Sequence, residues 1–168
     1  KQLMQKYFMM FPEIKENFWK EVERELRYSR ILNTPFNRKR MFFGRWEDKL
    51  LREAYAYIPQ STVGDLGCKA VVNCYWQIEK VVSGAELMLQ VHDAVYMQCY
   101  EQDAEQVATM MEEAMRIPIT LDGRTFVIPS DCKIGHNWGS RPKATPEQNP
   151  DGMIDADKWF KERRNGST

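Results

Sequence analysis

The sequence predicts an α+β fold, in which a small antiparallel sheet with a central hairpin packs against helices. Apolar and polar residues alternate on both sides of His92-Asp93, which is the period of two half-buried strands. Long segments before and after this stretch carry apolar residues at helical spacing. The dipeptide Asp122-Gly123 is typical of a further hairpin turn. The length of 168 residues is sufficient for a domain with a substantial core.

The first part of the chain predicts two helices, Lys1–Phe11 and Pro12–Tyr28. They are separated because a residue that precedes proline avoids the helical region. Four apolar residues at helical spacing mark the inward face of the second helix: Phe18, Trp19, Val22 and Leu26.

A hairpin is predicted over Ile31–Phe43, with turn residues between Asn33 and Asn37. Six basic residues and no acidic one lie between Arg27 and Arg45, although the whole chain has 24 basic and 24 acidic residues. A one-sided basic run suits binding to a polyanion such as nucleic acid. An ordinary solvated surface is the alternative that the charge run alone leaves open.

Helices are predicted again over Glu47–Tyr57, Pro59 to about Val82, and Glu101 to about Arg116. Pro59 marks either a helix start or a kink. The inward face of the second of these helices is predicted to hold Val63, Leu66, Ala70 and Cys74.

After the last of these helices in the sequence, a hairpin over Ile117–Ile128 and a strand within Asp131–Trp138 are expected to complete the sheet. Ser140–Gly152 is rich in proline and polar residues and predicts a loose linker. Met153–Arg164 holds one short helix, whose Trp159 is expected to anchor either on this chain or on another.

The central hairpin, Glu86–Glu101, presents His92 and Asp93 at its tip. An acid buried at such a tip is costly unless something pairs with it, and a divalent metal is a usual partner when the substrate carries phosphates. The alternative is an aspartate that caps its own turn.

The segment LQVHDAV resembles the third palm motif of the family A (polymerase I-like) DNA polymerases, L-Q-V-H-D-E. Further segments resemble the same family in the same order. They are KYFMMFPEIKENF behind the fingers, the turn Thr34 to Arg40 in place of T-x-x-G-R-R-R, REAYAYIPQSTVGDL, and the closing DCKIGHNW. The resemblance covers about Lys1 to Trp138.

This resemblance implies template-directed nucleotidyl transfer from dNTPs to a primer 3′ end, with two Mg²⁺ ions as cofactor. It implies that Asp93 is catalytic and holds metal, and that His92 positions the primer terminus. It divides the chain into rear-fingers helices and a basic hairpin (1–46), a palm (47–138), and a linker with a C-terminal tail (139–168).

The resemblance also implies contacts with primer-template DNA. Arg52 and Gln60, eight positions apart on one helix face, sense the terminal base pairs. Arg38 and Arg40 hold DNA phosphates. Ala56 replaces the asparagine that is common in the family, which removes one minor-groove hydrogen bond.

Two departures bear on activity. The first palm motif, with the second metal-binding aspartate, and the fingers helix that grips the triphosphate have no counterpart in this sequence. A companion polymerase chain or an N-terminal segment is therefore expected to supply them, as in a split phage-type enzyme. Ala94 stands where the family has glutamate. The rival interpretation is a non-catalytic DNA-binding or scaffold subunit derived from a polymerase palm.

The four cysteines lack a CxxC pair, and no apolar run approaches the ~20 residues of a membrane span. The sequence therefore predicts a reduced, intracellular protein without a membrane partner, and the resemblance implies the cytoplasm of a bacterial or phage-infected cell.

Overall fold

The structure is a computed structural model that describes residues 2–121, 123–139 and 152–166. The chain divides into two compact units, Lys1–Asp65 and Leu66–Thr168. The fold is the mixture of helices and small antiparallel sheets that the sequence predicts.

The first unit is mainly helical. Its elements, in chain order, are α1 (Gln2–Met10), a π-helical segment (Ile14–Trp19), α2 (Lys20–Tyr28), β1 (Ile31–Asn33), β2 (Lys39–Met41) and the first part of α3 (Asp48–Cys74). The predicted break at Phe11-Pro12 and the predicted basic hairpin are confirmed. Asn37 at the hairpin turn has φ 62°, a left-handed conformation that asparagine tolerates better than most residues.

The core of the first unit lies between α2, the basic hairpin and α3. Val22 and Leu26 are buried on the face of α2 that the spacing predicts. They pack with residues of the other elements: Leu32, Phe42, Leu50, Ala54 and Tyr57. Helix α3 is continuous through Pro59, so proline does not begin a new helix here.

The prediction that Val63 faces inward on α3 is wrong. Val63 is exposed, and the neighbouring Thr62 is buried instead. Thr62 tolerates burial because its hydroxyl donates a 2.7 Å hydrogen bond to the carbonyl oxygen of Ile58.

The second unit holds the end of α3 and the remaining elements. These are a π-helical segment (Tyr75–Glu79), β3 (Glu86–Val91), β4 (Ala94–Gln98), a 3-10 turn (Glu101–Asp103), α4 (Ala104–Met115), β5 (Pro118–Leu121), β6 (Arg124–Val127), β7 (Lys133–Ile134), β8 (Ile154–Asp155) and α5 (Ala156–Gly166). Its core joins Ala70, Cys74 and Ile78 to Val95 of β4 and Val107 of α4.

The closing segment behaves differently from the prediction. Among the described residues, β7 pairs with β8 of the tail rather than with the central hairpin. The physical reason is that β8, in the tail, forms the antiparallel partner of β7, with Ile134 opposite Ile154. The linker predicted over Ser140–Gly152 lies almost wholly outside the described residues.

The C-terminal helix α5 docks on its own chain. Trp159 is buried, with its ring 5.2 Å from that of His136. Arg163 forms an ion pair with Glu101 of the 3-10 turn, and Arg164 forms one with Glu105 in the first turn of α4. In the part of the chain that the structure describes, we find no helix with the length and apolar character of a membrane span.

Candidate active site

The central hairpin consists of β3 and β4, which are antiparallel with Val91 opposite Ala94. This register leaves His92 and Asp93 as a two-residue turn. His92 has φ 53°, whereas Asp93 is absent from the residues with positive φ. A positive φ at a side-chain-bearing residue is a strained conformation that often accompanies a functional site. The backbone of the predicted motif is therefore held in a specific and costly geometry.

The side chain of Asp93 is exposed, which corrects the expectation of a buried acid. A two-residue turn projects beyond both strands, and among the described residues no side chain forms a hydrogen bond or an ion pair with the Asp93 carboxylate. The turn-capping alternative also requires such a bond. The carboxylate is consequently available to a ligand from outside the hairpin.

The inward face of the hairpin is anchored. Val95 is buried, and Met97 and Cys99 pack against the same core, as the alternation predicts. Gly67 of α3 lies so close to β3 that a Cβ there would meet the Gln90 Nε2 atom at 2.7 Å. Gln90 in turn donates a 3.3 Å hydrogen bond to the His92 carbonyl oxygen. The Gln90 side chain of β3 thus lies between helix α3 and the carbonyl of the turn residue His92.

A cavity of about 980 Å³ opens beside the hairpin within the second unit. Asp93, Tyr96, Trp138 and Trp159 are among the residues that line it. The rings of Tyr96 and Trp138 are 5.4 Å apart. The cavity joins the candidate carboxylate to an aromatic wall that the C-terminal segment helps to form.

Three cysteines of this unit are held in the thiol form. Burial raises the pKa of Cys74 to about 11. Burial, with the nearby charges of Glu112 and Asp155, also raises the pKa of Cys132 to about 11. For Cys99, which follows β4, burial first and the charge of Asp103 second raise the pKa. All three thiols remain protonated at neutral pH.

Arg52 and Gln60 both lie on α3 in the first unit, and both are exposed. Neither side chain forms a hydrogen bond or an ion pair among the described residues. Both are therefore available for contacts with a ligand.

Arg38 and Arg40 are half exposed, but each meets a carboxylate. Arg38 Nε donates to Asp65 Oδ1 at 2.8 Å, and its NH2 group bonds the same oxygen. Arg40 NH2 lies 3.1 Å from Glu53 Oε2. Sequence reasoning missed both acids, because each is more than ten residues from its arginine and no local spacing connects them.

The described residues do not by themselves assemble a cluster of metal ligands around Asp93. Within residues 2–121, 123–139 and 152–166, no three His, Cys, Asp or Glu side chains come together as a metal site. An exposed and unpaired Asp93 fits one ligand of a shared site. A two-metal site of this kind needs at least one carboxylate besides Asp93.

Comparison with known proteins agrees with this architecture. The POL domain of Pol1 from M. smegmatis, solved in complex with DNA primer-template and dNTP, matches with a TM-score of 0.62 and 20% identity, over 74% of this chain and 23% of that chain. The fold is therefore that of a polymerase domain. The sequence profile of DNA polymerase family A matches residues 1–140. This chain belongs to the family A DNA polymerases.

Two curated relatives are the thermostable DNA polymerases I of Thermus caldophilus and Thermus thermophilus. Each is 27% identical over 138 residues, which is 79% of this chain and 16% of the relative. The chain thus spans about a sixth of the length of these relatives.

Proposed function

We propose that this chain forms the palm and rear-fingers part of a DNA-directed DNA polymerase, which adds nucleotides from dNTPs to a primer 3′ end. The observation that carries the proposal is the exposed, unpaired Asp93 at a two-residue turn whose other residue, His92, has positive φ. Membership in family A supports the reaction class.

Asp93 would hold Mg²⁺ together with a second carboxylate from outside this chain. When bound, the two ions activate the primer hydroxyl and neutralise charge on the leaving pyrophosphate. Within this chain, His92 positions the primer terminus beside Asp93. The Gln90 side chain fixes the His92 carbonyl, and the strained turn keeps the two site residues in one orientation.

The DNA contacts belong to the first unit. Arg52 and Gln60 sense the terminal base pairs with their unpaired side chains. Arg38 and Arg40 hold phosphates, since a guanidinium has five N–H donors and retains some of them after it pairs with one carboxylate. The segments 1–46, 47–138 and 139–168 remain our proposal for rear fingers, palm and tail.

A companion chain or an upstream segment completes the enzyme. Helix α1 has no buried residue and exposes Leu3, Met4, Tyr7 and Met10, which is more apolar surface than an isolated surface helix normally shows. A polymerase segment that carries the first palm motif would cover this face. We place the reaction in the cytoplasm of a bacterial or phage-infected cell.

A non-catalytic DNA-binding scaffold is the second candidate function. Ala94 in place of the family's glutamate favours it, because one accessory carboxylate is lost beside Asp93. The pairing of Arg38 and Arg40 with acids does not distinguish the two functions.

The substitution Asp93→Asn tests the proposal in the polymerase that contains this chain, assembled with its companion or joined to its upstream segment. Removal of one metal-binding charge should lower primer extension by more than about a hundredfold. The Kd for primer-template DNA should stay within about twofold of wild type, because Asp93 makes no contact that supports the fold.

Glu113→Gln is the matched control, since Glu113 is an exposed acid of α4 without an ion pair among the described residues. It should extend primers at the wild-type rate. Undiminished extension by Asp93→Asn would remove Asp93 from the mechanism. Absence of extension by the wild-type assembly, with retained DNA binding, would favour the scaffold.

A further inference from the structure

Two arginines of the first unit stack on one tryptophan. The Cζ atom of Arg27, in the last turn of α2, lies 4.4 Å from the centroid of the Trp46 ring. The Cζ atom of Arg30 lies 5.6 Å from the same centroid. A guanidinium stacked on a ring keeps its N–H donors at its edge, where they can reach an anion.

These two arginines differ from other arginines of the first unit in their ion pairing. Arg24, Arg38 and Arg40 each pair with a carboxylate. Among the described residues neither Arg27 nor Arg30 does so, and Arg30 NH1 bonds only the Gly44 carbonyl oxygen, at 3.1 Å. Two positive charges held on one ring repel each other, and an anion between them would relieve the repulsion.

The backbone at Arg30 is unfavourable for a side-chain-bearing residue. Arg30 follows the C-terminus of α2 with φ 59°, and its N–H closes the helix by bonding the Leu26 carbonyl oxygen at 3.2 Å. Glycine is the usual residue at this helix-closing position. An arginine at this position holds an unfavourable backbone conformation. We therefore infer that the arginine side chain has a role here.

Exposed aromatic rings flank the arginines along the chain. Tyr28, next to Arg27, is 90% exposed, and Phe43, next to the carbonyl that holds Arg30, is 88% exposed. Solvent-exposed rings that are close in sequence to guanidinium groups without an ion pair suit the stacking of unpaired bases with simultaneous contact to phosphates. The bases of a duplex are stacked on each other, so a duplex can contact the arginines through its phosphates but cannot stack its bases on the aromatic rings.

We propose that Arg27, Arg30 and Trp46, with the rings of Tyr28 and Phe43, form a binding site for single-stranded DNA. The arginines contact phosphates, the Trp46 ring positions both guanidinium groups, and the exposed rings stack on bases. This inference deepens the proposed polymerase function, on which it rests for the identity of the nucleic acid. In that enzyme the strand is an unpaired template segment.

The test measures binding of the full chain to a labelled oligothymidylate of about 20 nucleotides and to a duplex of equal length. The double substitution Arg27→Ala and Arg30→Gly should weaken binding to the single strand by about tenfold. It should also reduce the slope of log K against log salt concentration by about 1.4, for two lost phosphate contacts. Because glycine accepts φ 59° readily, the thermal midpoint should not fall.

Two further variants complete the design. Phe43→Ala removes a ring that is too exposed to support the core, and it should weaken single-strand binding at least about fivefold while duplex binding is unchanged. Arg24→Ala, on the same helix but paired with Glu21, is the control and should bind like wild type.

Unchanged single-strand binding in both the double variant and Phe43→Ala would overturn the inference. Equal weakening of duplex and single-strand binding by Phe43→Ala, or a loss in Arg24→Ala equal to that in the double variant, would also overturn it. Primer extension is a separate readout. Its absence in the wild-type assembly argues against the proposed function, while the binding of oligothymidylate by these variants still decides this site.

Discussion

At the scale of single residues, Arg38 and Arg40 have the same charge but different surroundings. The Arg38 partner, Asp65, has a side chain that is only 12% exposed, and it also accepts a 3.4 Å hydrogen bond from the hydroxyl of buried Thr34. Glu53, the partner of Arg40, is about as exposed as Arg40 itself. An ion pair in water contributes little, whereas a mostly buried carboxylate that loses its cation is costly.

We therefore expect Arg38→Ala to lower the free energy of unfolding by about 1–2 kcal/mol, and Arg40→Ala by at most about 0.5 kcal/mol. Urea denaturation of the two variants measures both values.

The double variant Arg38→Ala with Asp65→Asn serves as the control, because it also removes the negative charge that Arg38 balances and should recover part of the loss. Equal losses for Arg38→Ala and Arg40→Ala would contradict the structural difference between the two pairs.

At the scale of elements, α3 carries two glycines with opposite surroundings. Gly64 has open space where a Cβ would lie, whereas a Cβ on Gly67 would meet the Gln90 amide at 2.7 Å. The second glycine therefore allows α3 to approach the strand that leads to His92 and Asp93. A helix residue thus bears on the geometry of the proposed site without being part of it.

Gly64→Ala should raise the free energy of unfolding by roughly 0.5–1 kcal/mol, because alanine favours the helix and restricts the unfolded chain. Gly67→Ala should gain less than Gly64→Ala or should destabilise, since the Gln90 side chain must move and its bond to the His92 carbonyl weakens. Thermal or urea unfolding of both variants gives the comparison.

A further variant separates the effect of the contact between Gly67 and Gln90 from the effect of helix propensity. Gln90→Ala combined with Gly67→Ala removes the obstructing amide and should restore the gain seen for Gly64→Ala. A full gain from Gly67→Ala alone would show that the close approach has no energetic consequence.

At the scale of the whole molecule, the family match ends at residue 140, yet the chain beyond it is part of the second unit. Strand β8 pairs with β7, Trp159 is 8% exposed, and two arginines of α5 pair with acids of the 3-10 turn and of α4. The ion pairs are exposed and contribute little, so the buried indole is the main contribution of the tail.

Trp159→Ala should therefore lower the free energy of unfolding by roughly 3 kcal/mol, through lost apolar burial and the cavity it leaves. Urea denaturation followed by circular dichroism measures this loss. The double variant Arg163→Ala with Arg164→Ala is the comparison and should lose less than about 1 kcal/mol.

An unchanged stability in Trp159→Ala would mean that α5 does not dock through its tryptophan. A larger loss in the arginine double variant than in Trp159→Ala would assign the docking to charge instead.

The sequence by itself determined the elements whose signals are local. Alternation around His92-Asp93, helical spacing at Val22 and Leu26, and the turn between Asn33 and Asn37 all depend on near neighbours, so pattern and turn chemistry were sufficient to predict them. The family resemblance, also read from the sequence, is confirmed by the match over residues 1–140.

Only the tertiary structure decided which distant surfaces meet. The partner of Arg38 at Asp65, the pairing of β7 with β8, and the burial of Thr62 in place of Val63 have no local signature. Each depends on the packing of segments that are far apart in sequence, where contact rather than periodicity sets the energy. Short-range preferences select helices, strands and turns, and long-range packing decides which side chains remain free to bind.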